Sequence, residues 1–408
     1  MYVRSIELEH FRCFDHQRVE LQVPRAGVEL SNVSLLLGNN AAGKSTLLRA
    51  LALATMSGII DQSGFVPRYL VRFSGDRDER TARLEATVEL ERQDASSLSE
   101  GEIAVEKVGT RVIRRLDTER VESGELAAFW DGLYEEDSPS FLVLGYGATR
   151  REDVSEVFDP QLQRKLRSAR YQRVAGLFED QVALVPLNAW LHGCEPARLG
   201  EVIHLLHALL PNSMHLRGVG KNKYGDLIWS QDRSLMPQRA LSDGYRGFIA
   251  LVGDMLYQLQ RLAPMGTLLT ELSGLVLIDE VDLHLHPNWQ RVVVPTFSRV
   301  FPRLQFVMTT HSPIVTGTLR AENVQVLELV ESKDGWPTVA AKRPVESVHG
   351  LNADQILVSS YFGLSTTRAP DAVAQQHELA RRAAQGDKDA AVEFIRRLTA
   401  GDQSEPKP

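Results

Sequence analysis

The stretch Gly38-Asn39-Asn40-Ala41-Ala42-Gly43-Lys44-Ser45-Thr46 fills every fixed position of the pattern G-x-x-x-x-G-K-[ST]. Its glycines let backbone N–H groups converge on one point without Cβ obstruction, which makes a cradle for phosphate oxygens. Lys44 is spaced to reach the β- and γ-phosphates of a nucleoside triphosphate, and the Ser45 hydroxyl to ligate Mg²⁺. Further along, Leu275-Val276-Leu277-Ile278-Asp279-Glu280 sets two acids at the end of an apolar run. Asp279 is placed to hold the same Mg²⁺, and Glu280 to orient or deprotonate an attacking water. Thr310-His311-Ser312-Pro313 follows the next apolar run, where His311 can act as a polar sensor of the γ-phosphate. The chemistry specified is ATP binding and hydrolysis, with ATP and Mg²⁺ as cofactors.

Each group needs an element to hold it. Residues 33–37 are nearly continuously apolar and read as a strand buried on both faces, with a helix over 47–56 beyond the cradle. Runs 275–278, 306–308 and 141–144 read as further buried strands, and 324–329 as another. Residues 2–9 alternate as an opening strand, with a second extended stretch near 17–23. The texture from 69 to 122 is alternating and antiparallel, an addition to the edge of the first lobe. Residues 155–215 read as mostly helical. Leu241-Ser242-Asp243-Gly244-Tyr245 precedes a helix whose apolar set is Phe248, Ile249, Val252, Met255, Leu256, Leu259 and Leu262. The tail, 350–400, carries two amphipathic helices. An α/β P-loop nucleoside-triphosphatase (NTPase) fold is expected, divided into lobe I (1–150), a helical lobe II (151–270), core strands (271–340) and a helical tail (341–408).

Composition limits the remaining options. In 408 residues, 43% are hydrophobic and 24% charged, ordinary values for a globular chain able to bury a large core. The two cysteines, Cys13 and Cys194, make no disulfide framework and match no metal-ligand spacing. No run is long and apolar enough to span a bilayer, and the charged opening is no leader, so a cytoplasmic location is expected. A net charge of -7 argues against a wholly basic nucleic-acid glove. The basic stretches 111–115 and 164–167 read as solvated faces.

Together these motifs resemble the ABC-type ATPases of the SMC, RecF and overcoming-lysogenization-defect group. The elements that carry the resemblance are 38–45, 241–245, 276–280, Asp282-Leu283-His284-Leu285-His286-Pro287 and His311, with Leu8-Glu9-His10-Phe11-Arg12-Cys13-Phe14 like that group's first strand and turn. It implies an ABC-ATPase head in which Ser242, Asp243 and Gly244 of one subunit bind the ATP held by the other subunit's P-loop, forming a homodimer through ATP. It further implies that Arg12 contacts nucleotide and that Asp282, with His284 and His286, belongs to a loop crossing the interface. The magnesium-sensing glutamine loop of that group has no clear match; residues 145–151 stand in its place, with Arg150 and Arg151 open to phosphate, to a partner or to solvent. The residues after 330 hold no acidic cluster of the metal-dependent nuclease kind, so a nuclease effector would be a separate chain. The Leu-His-Pro element and short tail resemble ATPases of anti-phage systems such as Septu and retrons, beside which an effector nuclease is encoded. The alternatives are a DNA repair or recombination ATPase that binds nucleic acid, and a nucleotide-locked scaffold with negligible turnover.

Overall fold

The computed structural model describes residues 1–73, 81–91, 102–115, 118–124, 133–134, 138, 141–152, 168–211, 214–219, 226–231, 234–332 and 335–400. The basic stretch 164–167, and part of the expected helical region, lie outside them. By density of internal packing the chain forms two units, Met1–Ala353 and Asp354–Pro408.

The alternating opening folds as β1 (Tyr2–Phe11) and β2 (Phe14–Glu20), and the apolar run as β3 (Val33–Gly38). Alternation beyond residue 80 yields β4 (Thr81–Leu90), β5 (Ala104–Arg115) and β6 (Thr118–Ser123). Period two places Ala82, Leu84, Ala86, Val88 and Leu90 on the buried face of β4. All but β3 join in an antiparallel sheet of order β2-β1-β4-β5-β6. Strand β7 (Val143–Tyr146) starts two residues later than the apolar run at 141 suggests. Phe141 and Leu142 are buried all the same, and the Leu142 carbonyl accepts from Leu275 N–H at 2.8 Å.

The segment expected to be helical also carries sheet. A two-residue parallel pair, β8 (Arg151–Glu152) and β9 (Ala183–Leu184), is followed by a three-stranded meander. Its strands are β10 (Met214–Val219), β11 (Leu227–Gln231) and β12 (Ser234–Pro237). They are short, and only one face is covered, by Met214, Leu216, Leu227 and Trp229, so no long apolar run announces them. Among the described residues, the helix of the cradle is α1 (Lys44–Thr55), and the long helices of this segment are α2 (Pro196–Leu209) and α3 (Asp243–Leu262), beside short turns of helix at Ala169–Gln172 and Leu187–Trp190.

Strands β13 (Gly274–Ile278), β14 (Leu304–Thr309), β15 (Val324–Glu331) and β16 (Pro337–Lys342) complete the core sheet, order β16-β15-β3-β14-β13-β7. All neighbours are parallel except β15 and β16. Helix α1 lies between the two large sheets, and its Leu47, Leu48, Ala50, Leu51, Ala52, Leu53 and Ala54 are fully buried in their shared core. Buried Gln305 of β14 stitches the sheets together: its amide accepts from Val3 N–H at 2.8 Å and donates to Val3 O at 2.6 Å and Gln22 O at 2.7 Å. Short helix α4 (Pro287–Gln290) and α5 (Val293–Val300) connect β13 to β14. In the second unit, α6 (Pro370–Ala384) and α7 (Lys388–Ala400) form a helical pair.

Candidate active site

The parallel strands β3, β14 and β13 end side by side, so their C-terminal ends present the cradle, the Thr309-Thr310-His311 turn and the acid pair along one edge. In open α/β sheets this edge is where ligands bind. Gly38 has φ +154 and Gly43 φ +84; a Cβ on Gly38 would stand 2.5 Å from Leu327 O, and on Gly43 2.7 Å from Cys13 Sγ. Both positions therefore admit only glycine, and the cradle is pressed against β15 and against the β1–β2 turn. Asn39, Asn40 and Ala41 are exposed, Ala42 and Gly43 are buried, and Ser45 and Thr46 are half-buried at the start of α1. The Lys44 ammonium donates to Gly38 O at 2.8 Å and Asn39 O at 3.1 Å, arching over the loop. Burial lowers its pKa, opposed by Asp279, Glu280 and Asp282, which surround the same space with negative charge.

The acid pair is held almost entirely by main chain and threonine hydroxyls. Asp279 is buried; its N–H donates to Tyr146 O at 2.8 Å, and its Oδ1 accepts from Thr309 Oγ1 at 2.5 Å. The same hydroxyl accepts from Glu280 N–H at 2.7 Å. Glu280 is half-buried and sits in the left-handed region, φ +48, a conformation that a residue with a Cβ adopts only when its surroundings impose it. Thr310 Oγ1 donates to Asp282 and accepts from Ser312 N–H, and Ser312 Oγ donates to Gln290 of α4. His311 is exposed at the tip of this turn. Arg12 occupies the β1–β2 turn at φ +50, with its Nε buried and lacking a partner among the described residues. Burial, and then Arg49 beside it, pull its pKa below the usual guanidinium range.

Ser242 and Asp243 are exposed at the N-terminus of α3. Ser242 is the N-cap residue, yet its side chain makes no capping bond, so the first N–H groups of a 20-residue helix lack that partner at an exposed helix start. Gly244 has a further role that its motif does not announce: a Cβ there would lie 2.2 Å from His284 O. The start of α3 thus rests directly on the backbone of the Leu-His-Pro element, where His284 itself has φ +58. Aromatic rings continue the contact, Tyr245 to Trp289 at 4.9 Å, Trp289 to Phe248 at 5.0 Å, Phe248 to Phe297 at 5.9 Å and Phe297 to Phe306 of β14 at 5.6 Å.

Sequence reasoning gave Thr309 and Thr310 no role, although both stand beside His311 in the motif. It left Arg150 open between phosphate, partner and solvent. Arg150 is partly buried, and its guanidinium donates to the main-chain carbonyls of both Asp279 and Glu280.

Fold and site together define a P-loop ATPase. The chain belongs to the family described as "AAA domain, putative AbiEii toxin, Type IV TA system", whose profile matches residues 33–316. It is 24% identical to the Septu protein PtuA of Bacillus mycoides (strain KBAB4) over 369 residues, 90% of this chain and 45% of that one. It is 42% identical to the Retron Vc95 probable ATPase of Vibrio cholerae serotype O1 biovar El Tor over 117 residues, 29% of this chain and 22% of that one. The chain spans less than half the length of the curated relatives it matches. Among solved structures it is similar to the SMC head bound to the C-winged helix domain of ScpA, with TM-score 0.49 and 16% identity over 85% of this chain and 98% of that one. Among the described residues no helix is long and apolar enough to cross a membrane.

Proposed function

We propose that the chain is an ATP-gated homodimer that regulates a separate effector, a nuclease in anti-phage defence. The observation that carries this reading is the exposed N-terminus of α3 at Ser242, which no side chain caps from the N-cap position. One copy offers a phosphate cradle, and the helix start offers a second anion site that its own side chain leaves unused. A second copy supplying Ser242, Asp243 and the Gly244 backbone closes the nucleotide between subunits. Similarity to Septu and retron ATPases supports the defence role and the separate effector.

Within each site, Lys44 and the N–H groups of 38–46 hold the phosphates, with Arg12 contributing from its turn. Ser45 and Asp279 supply hard oxygen donors of the kind Mg²⁺ takes, and the ion would neutralise charge on the phosphates. Glu280 accepts a proton from the attacking water, and His311 contacts the γ-phosphate from its exposed turn. Asp282 and the histidines of the Leu-His-Pro element line the subunit seam.

Size-exclusion chromatography with light scattering tests the gate. Glu280→Gln with ATP should run as a dimer, and without ATP as a monomer. Adding Ser242→Arg in the same chain should abolish the dimer while nucleotide binding persists. A Glu280→Gln chain that stays monomeric in ATP, or a double variant that still dimerises, would overturn the reading. A pull-down with Glu280→Gln in ATP then identifies the effector; recovery of a nuclease supports that part, and recovery of duplex DNA alone refutes it.

A further inference from the structure

We propose that Arg150 is the positioning residue of the acid pair: its guanidinium clamps the carbonyls of Asp279 and Glu280 and so aims the Glu280 carboxylate. This rests on Glu280 being the group that activates water.

Arg150 Nη2 donates to Asp279 O and to Glu280 O, the latter at 2.7 Å, and Nε reaches Gly147 O at 3.3 Å. Two consecutive carbonyls converge on one nitrogen, a peptide arrangement that the left-handed Glu280 backbone creates. From the other side, Thr309 Oγ1 takes the Glu280 N–H and Thr309 O takes the Val281 N–H at 2.9 Å. The peptide groups on both sides of Glu280 are therefore fixed, and the side chain has little freedom beyond its own rotamers.

The perch of Arg150 is itself rigid. It follows β7, which pairs with β13 so that Ile278 lies opposite Tyr146. A Cβ on Gly145 would meet Leu177 Cδ1 at 2.5 Å, and one on Gly147 would meet Gly176 O at 2.1 Å, so the loop is pressed flat against its neighbours. Charge suits the place as well. Asp279, Asp282 and Glu280 all stand near the guanidinium, a negatively charged surrounding that suits a cation. The planar guanidinium fixes Nη2, which holds both carbonyls, relative to Nε, which is anchored on Gly147 O; a lysine ammonium carries the charge without that second, rigidly placed donor.

The test is steady-state ATP hydrolysis by the full-length chain with Arg150→Ala, Arg150→Lys and Glu280→Gln in parallel, with nucleotide stoichiometry measured using a fluorescent ADP analogue. Misaiming a catalytic group by about 1 Å costs about 100-fold, so Arg150→Ala should lose about 30- to 100-fold in kcat. The KM for ATP should stay within about twofold of wild type, and the number of nucleotide sites per chain should not change; a fold defect would lower that number instead. Arg150→Lys should recover little of the loss, and it serves as the test if the alanine chain does not fold. A raised KM with unchanged kcat would make Arg150 a phosphate ligand and overturn the proposal, as would wild-type kcat in either variant. Wild-type turnover by Glu280→Gln would instead remove the reading of Glu280, a different failure.

Discussion

Gly244→Ala separates what the helix wants from what the site needs. Gly244 lies in the first turn of α3, where local propensity alone favours alanine over glycine by up to ~1 kcal/mol. The new Cβ, however, would stand 2.2 Å from His284 O, against a limit of 3.0 Å below which something must shift. One backbone must give by roughly 0.8 Å, and neither is a flexible side-chain tip. Tilting α3 away is resisted by Tyr245 and Phe248, both packed on Trp289. Overpacking of this kind costs about 1–3 kcal/mol, which outweighs the gain in propensity. The net expectation is a loss of up to about 2 kcal/mol. If the cross-subunit reading holds, displacing Ser242 or the 282–286 loop by nearly that distance should also lower kcat by up to about 100-fold. Urea denaturation and ATP turnover at saturating ATP measure the two effects. Gly247→Ala, in the same helix with nothing within 4 Å of its Cβ, is the stability control and should gain stability. A Gly244→Ala chain as stable as that control, with wild-type kcat, would refute the argument.

Two further outcomes follow from buried polar groups. Thr309→Val removes the acceptor of Glu280 N–H and the donor to Asp279 Oδ1 together, so it should cost about 1–3 kcal/mol and depress kcat, whereas Thr309→Ser should keep both; thermal melts and turnover of the pair check this. Asp254 of α3 is buried, accepting from Tyr146 Oη at 3.0 Å and Val185 N–H at 2.9 Å, and burial raises its pKa from 3.8 to about 6. A carboxyl raised on folding contributes stability that is complete below its unfolded pKa and lost as pH climbs through the folded one. Between about pH 4 and pH 6 the wild type should therefore lose on the order of 2–3 kcal/mol relative to Asp254→Asn and then level off. Urea titrations of both chains across pH 4–8 measure the difference, and a difference that stays flat across that range removes the assignment.

Much of the fold was legible because the elements that build the core obey one simple period each. Residues 33–37, broken only by Ser34, and 275–278 are apolar because β3 and β13 are covered on both faces, and β4 alternates because one of its faces is not. The meander β10–β12 escaped notice for the converse reason: three short strands with one covered face leave no run long enough to compete with the helical signals on either side. Pairing order was also out of reach. Nothing local in β1 says that its second neighbour is β4, some 70 residues on, since register between distant strands is set by packing of their buried faces.

The site divides along the same line. Groups that act through their side chains, Lys44, Ser45, Asp279, Glu280 and His311, have residue types that betray them at fixed places after a strand. Groups whose partners are main-chain carbonyls leave no such trace, because every residue carries the same carbonyl. Arg150 is an ordinary arginine after a glycine-rich turn until β7 is laid beside β13 and its Nη2 meets Asp279 O and Glu280 O. Gly244 is equally mute: its sequence context points to an anion, while its missing Cβ also makes room for His284 O. In both cases backbone meets a residue far away in the chain and close in space, and in both the contact fixes a peptide with positive φ, at Glu280 and at His284. The strain that the sequence cannot display is thus located where the structure supplies an unusual partner to hold it, which is why substitutions at Arg150 and Gly244 should affect turnover more than their residue types suggest.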